Sequence, residues 1–190
     1  MNAPAVVAAV VDALDRASVS YMLVGSFSSN LYSFPRSTKD ADFVVELSQI
    51  SLGALMSSLG ADFALDPQMS FETVTATMRH VITHRDSGFK VELFGLSNDP
   101  HDQLRFSRRR PAPFLGRTIW VPRAEDVVIT KLRWSKGGRR RKDVEDVENV
   151  LAVQGDALDF GYIRHWCDQH GTRQLFEQAL ADANAPPPAA

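Results

Sequence analysis

Asp40-Ala41-Asp42-Phe43-Val44-Val45 sets two carboxylates, one residue apart, at the head of an apolar run suited to a buried strand. On a strand, residues i and i+2 point to one face and lie roughly 6–7 Å apart, so both acids can converge on one ion. The run follows Tyr21 to Val24, a short apolar segment stopped by Gly25-Ser26, which reads as a strand entering a tight turn. A chain that must hold these two segments as strands, with a glycine turn between them, is constrained toward a sheet that presents acids at one end.

Periodicity fills in the remainder. Val6, Val7, Val10, Val11 and Leu14 share one helical face, predicting a helix from about Ala3 to Ala17. A short helix is expected over Ser28 to Phe34, closed by Pro35. A strand is expected over Ala41 to Leu47, then a helix around Ile50 to Leu59 ended by Gly60. Thr73 to Thr83 alternates Thr with Val, Ala and Met and reads as strand. Phe89 to Phe94 reads as its hairpin partner across Asp86, Ser87 and Gly88. Arg117 to Val121 is a last short strand, and helical patterns follow over Arg123 to Trp134, Lys142 to Val153, Phe160 to His170 and Arg173 to Ala183. The expected fold class is α/β (α+β): a mixed sheet flanked by helices over residues 1–122, a helical C-terminal section over 123–184, and a disordered Pro- and Ala-rich tail over 185–190.

Two aspartates at that spacing offer the hard oxygen ligands that Mg²⁺ (or Mn²⁺) prefers while it keeps waters and shares substrate phosphates. Two-metal phosphoryl or nucleotidyl transfer wants a third carboxylate. Glu92 is the candidate, because an acid among Phe89, Val91, Leu93 and Phe94 on a central strand costs several kcal/mol unless it is paired or metal-bound. The backbone N–H groups of Gly25-Ser26 and the Ser26 hydroxyl are placed to hold a triphosphate, although many strand-to-helix turns carry Gly-Ser for backbone reasons alone. The chain contains neither a Gly-x-x-x-x-Gly-Lys-Ser/Thr loop nor a Gly-x-Gly-x-x-Gly fingerprint, which disfavours P-loop and Rossmann readings.

Lys131, on an otherwise apolar helix, reaches either inward to phosphate or outward to solvent. Asp143 and Asp146 are i, i+3 neighbours whose expected role is capping and pairing with the basic residues Arg139 to Lys142. Arg108-Arg109-Arg110 and the run from Lys136 to Lys142 are candidate polynucleotide contacts, but a net charge of -2 argues against a nucleic-acid coat and favours solvated faces. His80 and His84 lie about 13 Å apart on a strand, too far to share a metal. Trp120, Trp134 and Trp166 are expected to be core anchors. A single cysteine, Cys167, excludes an intramolecular disulfide framework and a cysteine-based zinc knuckle, so a reducing cytoplasm is expected. The apolar N-terminal run lacks a basic n-region and includes Asp12 and Asp15, against a signal peptide. No stretch approaches the roughly 20 apolar residues needed to cross a bilayer, so no membrane partner is expected.

Taken together, Gly25-Ser26, the Arg36-Ser37-Thr38 lead-in, Asp40-x-Asp42 and Glu92 resemble the DNA polymerase beta-like nucleotidyltransferase superfamily. Arg123-Ala-Glu125-Asp126 leading to Lys131-Leu132, then Arg141-Lys142-Asp143-x-x-Asp146, resembles small bacterial members related to abortive-infection toxins. The resemblance covers roughly residues 20 to 150. It implies a nucleotidyltransferase core in which Asp40, Asp42 and Glu92 are catalytic and hold the metals, Gly25 and Ser26 contact an NTP, and Lys131 steadies its phosphates. It also implies transfer of an NMP to a hydroxyl acceptor on RNA (a tRNA end), a protein or a small molecule such as an aminoglycoside, and a cognate antitoxin as partner. The interval from Gly25 to Asp40 is longer than in the shortest members, and the third acid is Glu where many have Asp. Two alternatives stay open: a non-catalytic binding module with this fold, and a metal-dependent nuclease. The nuclease reading is weakened because Leu93-Phe94, rather than a lysine two places on, follows Glu92.

Overall fold

The computed structural model of the protein describes residues 1–46, 52–135 and 137–185. The chain divides into two compact units, one of Met1–Phe27 with Ser37–Pro122 and one of Ser28–Arg36 with the chain from Arg123 onward.

In the first unit, α1 (Ala3–Arg16) starts at Asn2, whose side chain accepts a hydrogen bond from the Ala5 N–H at 3.0 Å, with Pro4 in the first turn. The main sheet runs in the order β1 (Tyr21–Val24), β2 (Asp40–Val45), β6 (Lys90–Gly95), β5 (Thr77–His84) and β3 (Phe63–Leu65), with β4 (Ser70–Glu72) also on β5. Among the described residues only β2 and β6 are parallel, so the sheet is mixed, as the sequence predicted. Strand alternation then divides the residues between two faces. Tyr21, Leu23, Ala41, Phe43, Val45, Ile82, Val91 and Leu93 are buried in one cluster with Val6, Val7, Val10, Val11 and Leu14 of α1 and with Leu55 of α3 (Leu52–Leu59). Each fully buried Val, Leu, Ile or Phe side chain among these contributes about 1.5–3 kcal/mol. The opposite face carries Asp40, Asp42, Lys90, Glu92 and Arg79. At its Met22 and Val44 end it packs against Phe106 of α4 (Pro100–Ser107).

Several elements differ from expectation. The expected strand over Thr73 to Thr83 begins only at Thr77. The Glu72 carboxylate accepts hydrogen bonds from the Val74 and Thr75 N–H groups, both at 2.8 Å, and Ala76 takes a φ of +54°, so a turn replaces the alternating segment. The short helix α2 spans Gly25–Ser29 rather than Ser28 to Phe34. After Ser29 the chain turns, and the Asn30 side chain accepts from the Arg36 N–H at 3.2 Å and donates to the Arg36 carbonyl at 2.8 Å, closing the loop. The unforeseen α4 has a legible signal: Asp99 caps the N–H groups of His101 and Asp102 directly before Pro100. The hairpin β7 (Arg110–Phe114) and β8 (Arg117–Val121) adds a strand the sequence reading omitted. On it Trp120 is 38% exposed, not a core anchor, and lies beside the Arg109 guanidinium, which also stacks on Phe106. Leu47, Ile50 and the tail beyond Ala185 lie outside the described residues. No described helix is long and apolar enough to cross a membrane.

The second unit is helical: α5 (Ala124–Trp134), α6 (Arg141–Gln154), α7 (Phe160–His170) and α8 (Arg173–Ala183) enclose Val128, Ile129, Leu132, Val147, Val150, Ile163 and Phe176, all fully buried. Gly171 ends α7 at a φ of +67°, which lets the chain reverse into α8. Within this apolar packing sits an ionic network. Asp146 receives the Arg36 guanidinium through two hydrogen bonds of 2.7 Å and the Lys131 ammonium at 2.8 Å. Asp143 receives Lys131 at 3.1 Å and Arg140 at 3.0 Å. The pairing expected for these aspartates with the Arg139 to Lys142 run is thus only part of the arrangement, since Arg36 and Lys131 reach them from elsewhere in the unit.

Burial pushes the Asp146 carboxyl upward, but the hydrogen bonds from Arg36 and Lys131 and their charges outweigh it and hold the group below the ordinary carboxylate value. A depressed carboxyl stabilises the fold above its unfolded value, near pH 4, and that contribution is lost as pH falls through the depressed folded value. Asp146→Ala takes the carboxylate from Arg36 and leaves Lys131 only Asp143, and is expected to destabilise the chain by about 3 kcal/mol in urea unfolding at pH 7. The deficit should shrink as the titration is repeated toward pH 3.

Candidate functional site

The acidic face is assembled by backbone pairing. The antiparallel register of β1 and β2 sets Val24 opposite Asp42. The parallel register of β2 and β6 sets Asp42 beside Glu92 and Asp40 beside Lys90. Neighbouring strands lie about 4.8 Å apart, and paired residues point to the same face. Asp40 and Asp42 therefore share one face of the sheet with Glu92, which comes from far along the chain, and each is partly exposed.

Local contacts then fix the side chains. The Thr38 hydroxyl lies 2.9 Å from the Asp40 carbonyl and 3.2 Å from Asp40 Oδ1, holding the lead-in against the start of β2. Gly25 follows β1 with a φ of +65°. A Cβ built there would fall on Asp42 Oδ2 and lie 2.9 Å from Asp42 Cγ, so the turn fits against the carboxylate only because it is glycine. Ser26, the next residue, is buried. Glu92 carries a partner that the sequence reading missed: Arg79 Nη1 donates to Glu92 Oε2 at 3.0 Å, and Arg79 Nε donates to Ser70 Oγ at 2.9 Å. The alternation of β5 offered a signal, because Arg79 falls on the same face as Val81, which pairs with Glu92.

The remaining candidates resolve differently. Lys131 belongs to the helical unit and is matched by Asp143 and Asp146 with 12% of its side chain exposed. Within the Arg108 to Arg110 cluster, Arg109 stacks on Phe106 and Trp120. Of the second basic run, Lys136 lies outside the described residues, Arg140 pairs with Asp143, and Arg141 reaches Glu145 at 3.4 Å and Glu148 at 3.6 Å. His84 is a buried residue stacked edge-on against Phe63, with Nδ1 2.9 Å from Ser87 Oγ.

Gly25→Ala combines a left-handed backbone with a collision against Asp42. It is expected to cost about 1–3 kcal/mol in thermal or urea unfolding. Gly88→Ala, at a φ of +65° with open space around it, carries only the backbone part and should cost measurably less.

No family profile matches the chain, and no curated protein matches its sequence at a significant level. Solved structures do resemble it. ANT(2″)-Ia in complex with adenylyl-2″-tobramycin superposes with a TM-score of 0.60 at 10% identity, covering 90% of this chain and 98% of that one. The solution structure of the antibiotic-resistance factor ANT(2″)-Ia gives a TM-score of 0.61 at 11% identity over 94% of this chain and 93% of the other. An antigenic nucleotidyltransferase-like protein from Paracoccidioides brasiliensis gives 0.54 at 16% identity over 92% and 91%. With its mixed sheet and helical C-terminal part, the chain has the nucleotidyltransferase fold.

Proposed function

We propose that this protein is a Mg²⁺- or Mn²⁺-dependent nucleotidyltransferase that moves an NMP from an NTP to a hydroxyl acceptor. The observation that carries the proposal is the registered placement of Asp42 beside Glu92, with Asp40 two residues away and a glycine turn seated on the Asp42 carboxylate. Three carboxylates on one partly exposed face supply the hard oxygens that a divalent ion takes, and the missing Cβ at Gly25 leaves Asp42 room beside the turn. Bound there, such an ion supplies Lewis-acid stabilisation of charge on the transferring phosphoryl group and activates the attacking hydroxyl.

The chain's own residues have separable tasks in this reading. Asp40 and Asp42, on a strand pinned between β1 and β6, give a rigid pair of ligands, and Glu92 supplies the third from the next strand. The Gly25-Ser26 turn opens α2 and offers N–H groups to the triphosphate. Lys131, already matched by two carboxylates, is assigned a structural role in the helical unit rather than the phosphate contact implied by resemblance. The acceptor is a hydroxyl of a tRNA end, a protein or a small molecule. The small molecule gains weight from two observations: Arg109, Arg140 and Arg141 of the basic runs are engaged in stacking or ion pairs within the chain, and one fold neighbour is a complex with adenylyl-2″-tobramycin. A toxin role with a cognate antitoxin belongs to the tRNA or protein acceptor and falls with it.

The test incubates the purified chain with each α-labelled NTP, Mg²⁺, and in turn total RNA, a cell lysate or an aminoglycoside such as tobramycin, and asks what becomes labelled. Asp42→Asn is expected to reduce labelling by more than about 100-fold while the chain stays folded, since loss of a direct ligand exceeds the effect of losing a group behind it. Full NTP consumption by Asp42→Asn would sink the assignment of roles. Partner binding that is indifferent to metal, with no labelling in any mixture, would favour the non-catalytic module.

A further inference from the structure

Arg79 lies on β5, one strand beyond Glu92, on the face that carries the three acids. Its Nη1 holds Glu92 Oε2 at 3.0 Å, and its Nε is fixed 2.9 Å from Ser70 Oγ on β4. The pair is partly open to water, with the side chains 36% and 19% exposed, and an ion pair this exposed contributes little to the fold as a whole. Its position is more informative than its strength. Three carboxylates on adjacent strand positions repel one another unless a positive charge stands among them. The bond to Ser70 restrains a side chain that would otherwise swing freely, keeping its charge at Glu92.

We infer that Arg79 is a positioning residue that serves as the counter-charge of Glu92 on the acidic face, where Lys90 stands beside Asp40, holding Glu92 in the metal-free protein and competing there with a divalent ion. The inference rests on the reading of that face as a metal site. Its consequence has a definite sign. Removing the charge leaves the metal-free acids less compensated while lowering the electrostatic cost of admitting a cation. An arginine that merely orders Glu92 has the opposite effect, because its loss lets the ligand move and weakens metal binding.

Mn²⁺ binding to the full chain without nucleotide, followed by the electron paramagnetic resonance signal of free Mn²⁺, separates these cases. Arg79→Gln is expected to bind Mn²⁺ roughly tenfold more tightly than the unaltered protein, whereas Arg79→Lys, which keeps the charge, stays near the unaltered affinity. Without metal, Arg79→Gln should melt at a lower temperature, and saturating Mn²⁺ should narrow that gap, because ligand binding to the folded state stabilises it. Ser70→Ala, which frees the guanidinium, is expected to tighten Mn²⁺ by a smaller factor in the same direction and stands as the test if Arg79→Gln fails to fold. Unchanged or weaker Mn²⁺ binding in folded Arg79→Gln, or in Ser70→Ala where the first variant does not fold, overturns the inference and leaves the metal site intact. Absence of Mn²⁺ binding by the unaltered protein, or binding by Asp42→Asn equal to it, overturns the metal site itself and the inference with it.

Discussion

The acidic face of the first unit depends on one pairing: the parallel ladder between β2 and β6, the only parallel contact among the described residues of the sheet. A parallel pair cannot be closed by a tight turn, so the chain must leave β2, build α3 and the β3, β4 and β5 strands, and return before Glu92 meets Asp42. A slip of that ladder by one residue would turn Glu92 into the core side of the sheet and bring Val91 or Leu93 among the acids. The alternating burial of β2 and β6 opposes such a slip, because Ala41, Phe43, Val91 and Leu93 are all needed beneath α1 and α3. Apolar packing on one face thus fixes the positions of charges on the other.

The glycine turn has its effect on the same assembly. Gly25 is required twice, by a positive φ and by the Asp42 carboxylate lying where a Cβ would be. A short strand that ends in such a turn brings the backbone at Gly25 against the Asp42 carboxylate without any added loop. Thr38 performs a smaller task at the other end of the lead-in, tying the chain to Asp40 just before the strand begins. The charges of this face remain partly in water, so their mutual repulsion is moderated rather than removed.

The helical unit treats charge differently. Asp143 and Asp146 are almost fully buried, and a buried carboxylate without a partner would cost several kcal/mol, yet each is met by more than one cation. Arg36 comes from the segment that joins the glycine turn to β2, so the second unit draws on a stretch of chain distant in sequence from its four helices. Removing any one carboxylate of the network would strand part of its positive charge, which is the larger cost in such an arrangement.

The chain by itself determined a good deal. The β1, β8, α7 and α8 boundaries follow from local periodicity and punctuation, and Asp40 and Asp42 share a face because strand geometry has a period of two. The sequence also marked Glu92 as an acid in apolar company that needed a partner. Local pattern failed where a side chain overrode propensity, as when Glu72 folds the Thr-rich stretch into a turn, and where an apolar ring found a cation instead of the core, as with Trp120 and Arg109. What only tertiary structure decided is who meets whom: Arg79 with Glu92, Arg36 and Lys131 with Asp146, and Asp42 with both Gly25 and Glu92. Those meetings depend on strand order, register and helix packing, which arise from the summed burial of residues far apart in the chain, and no window of sequence contains that sum.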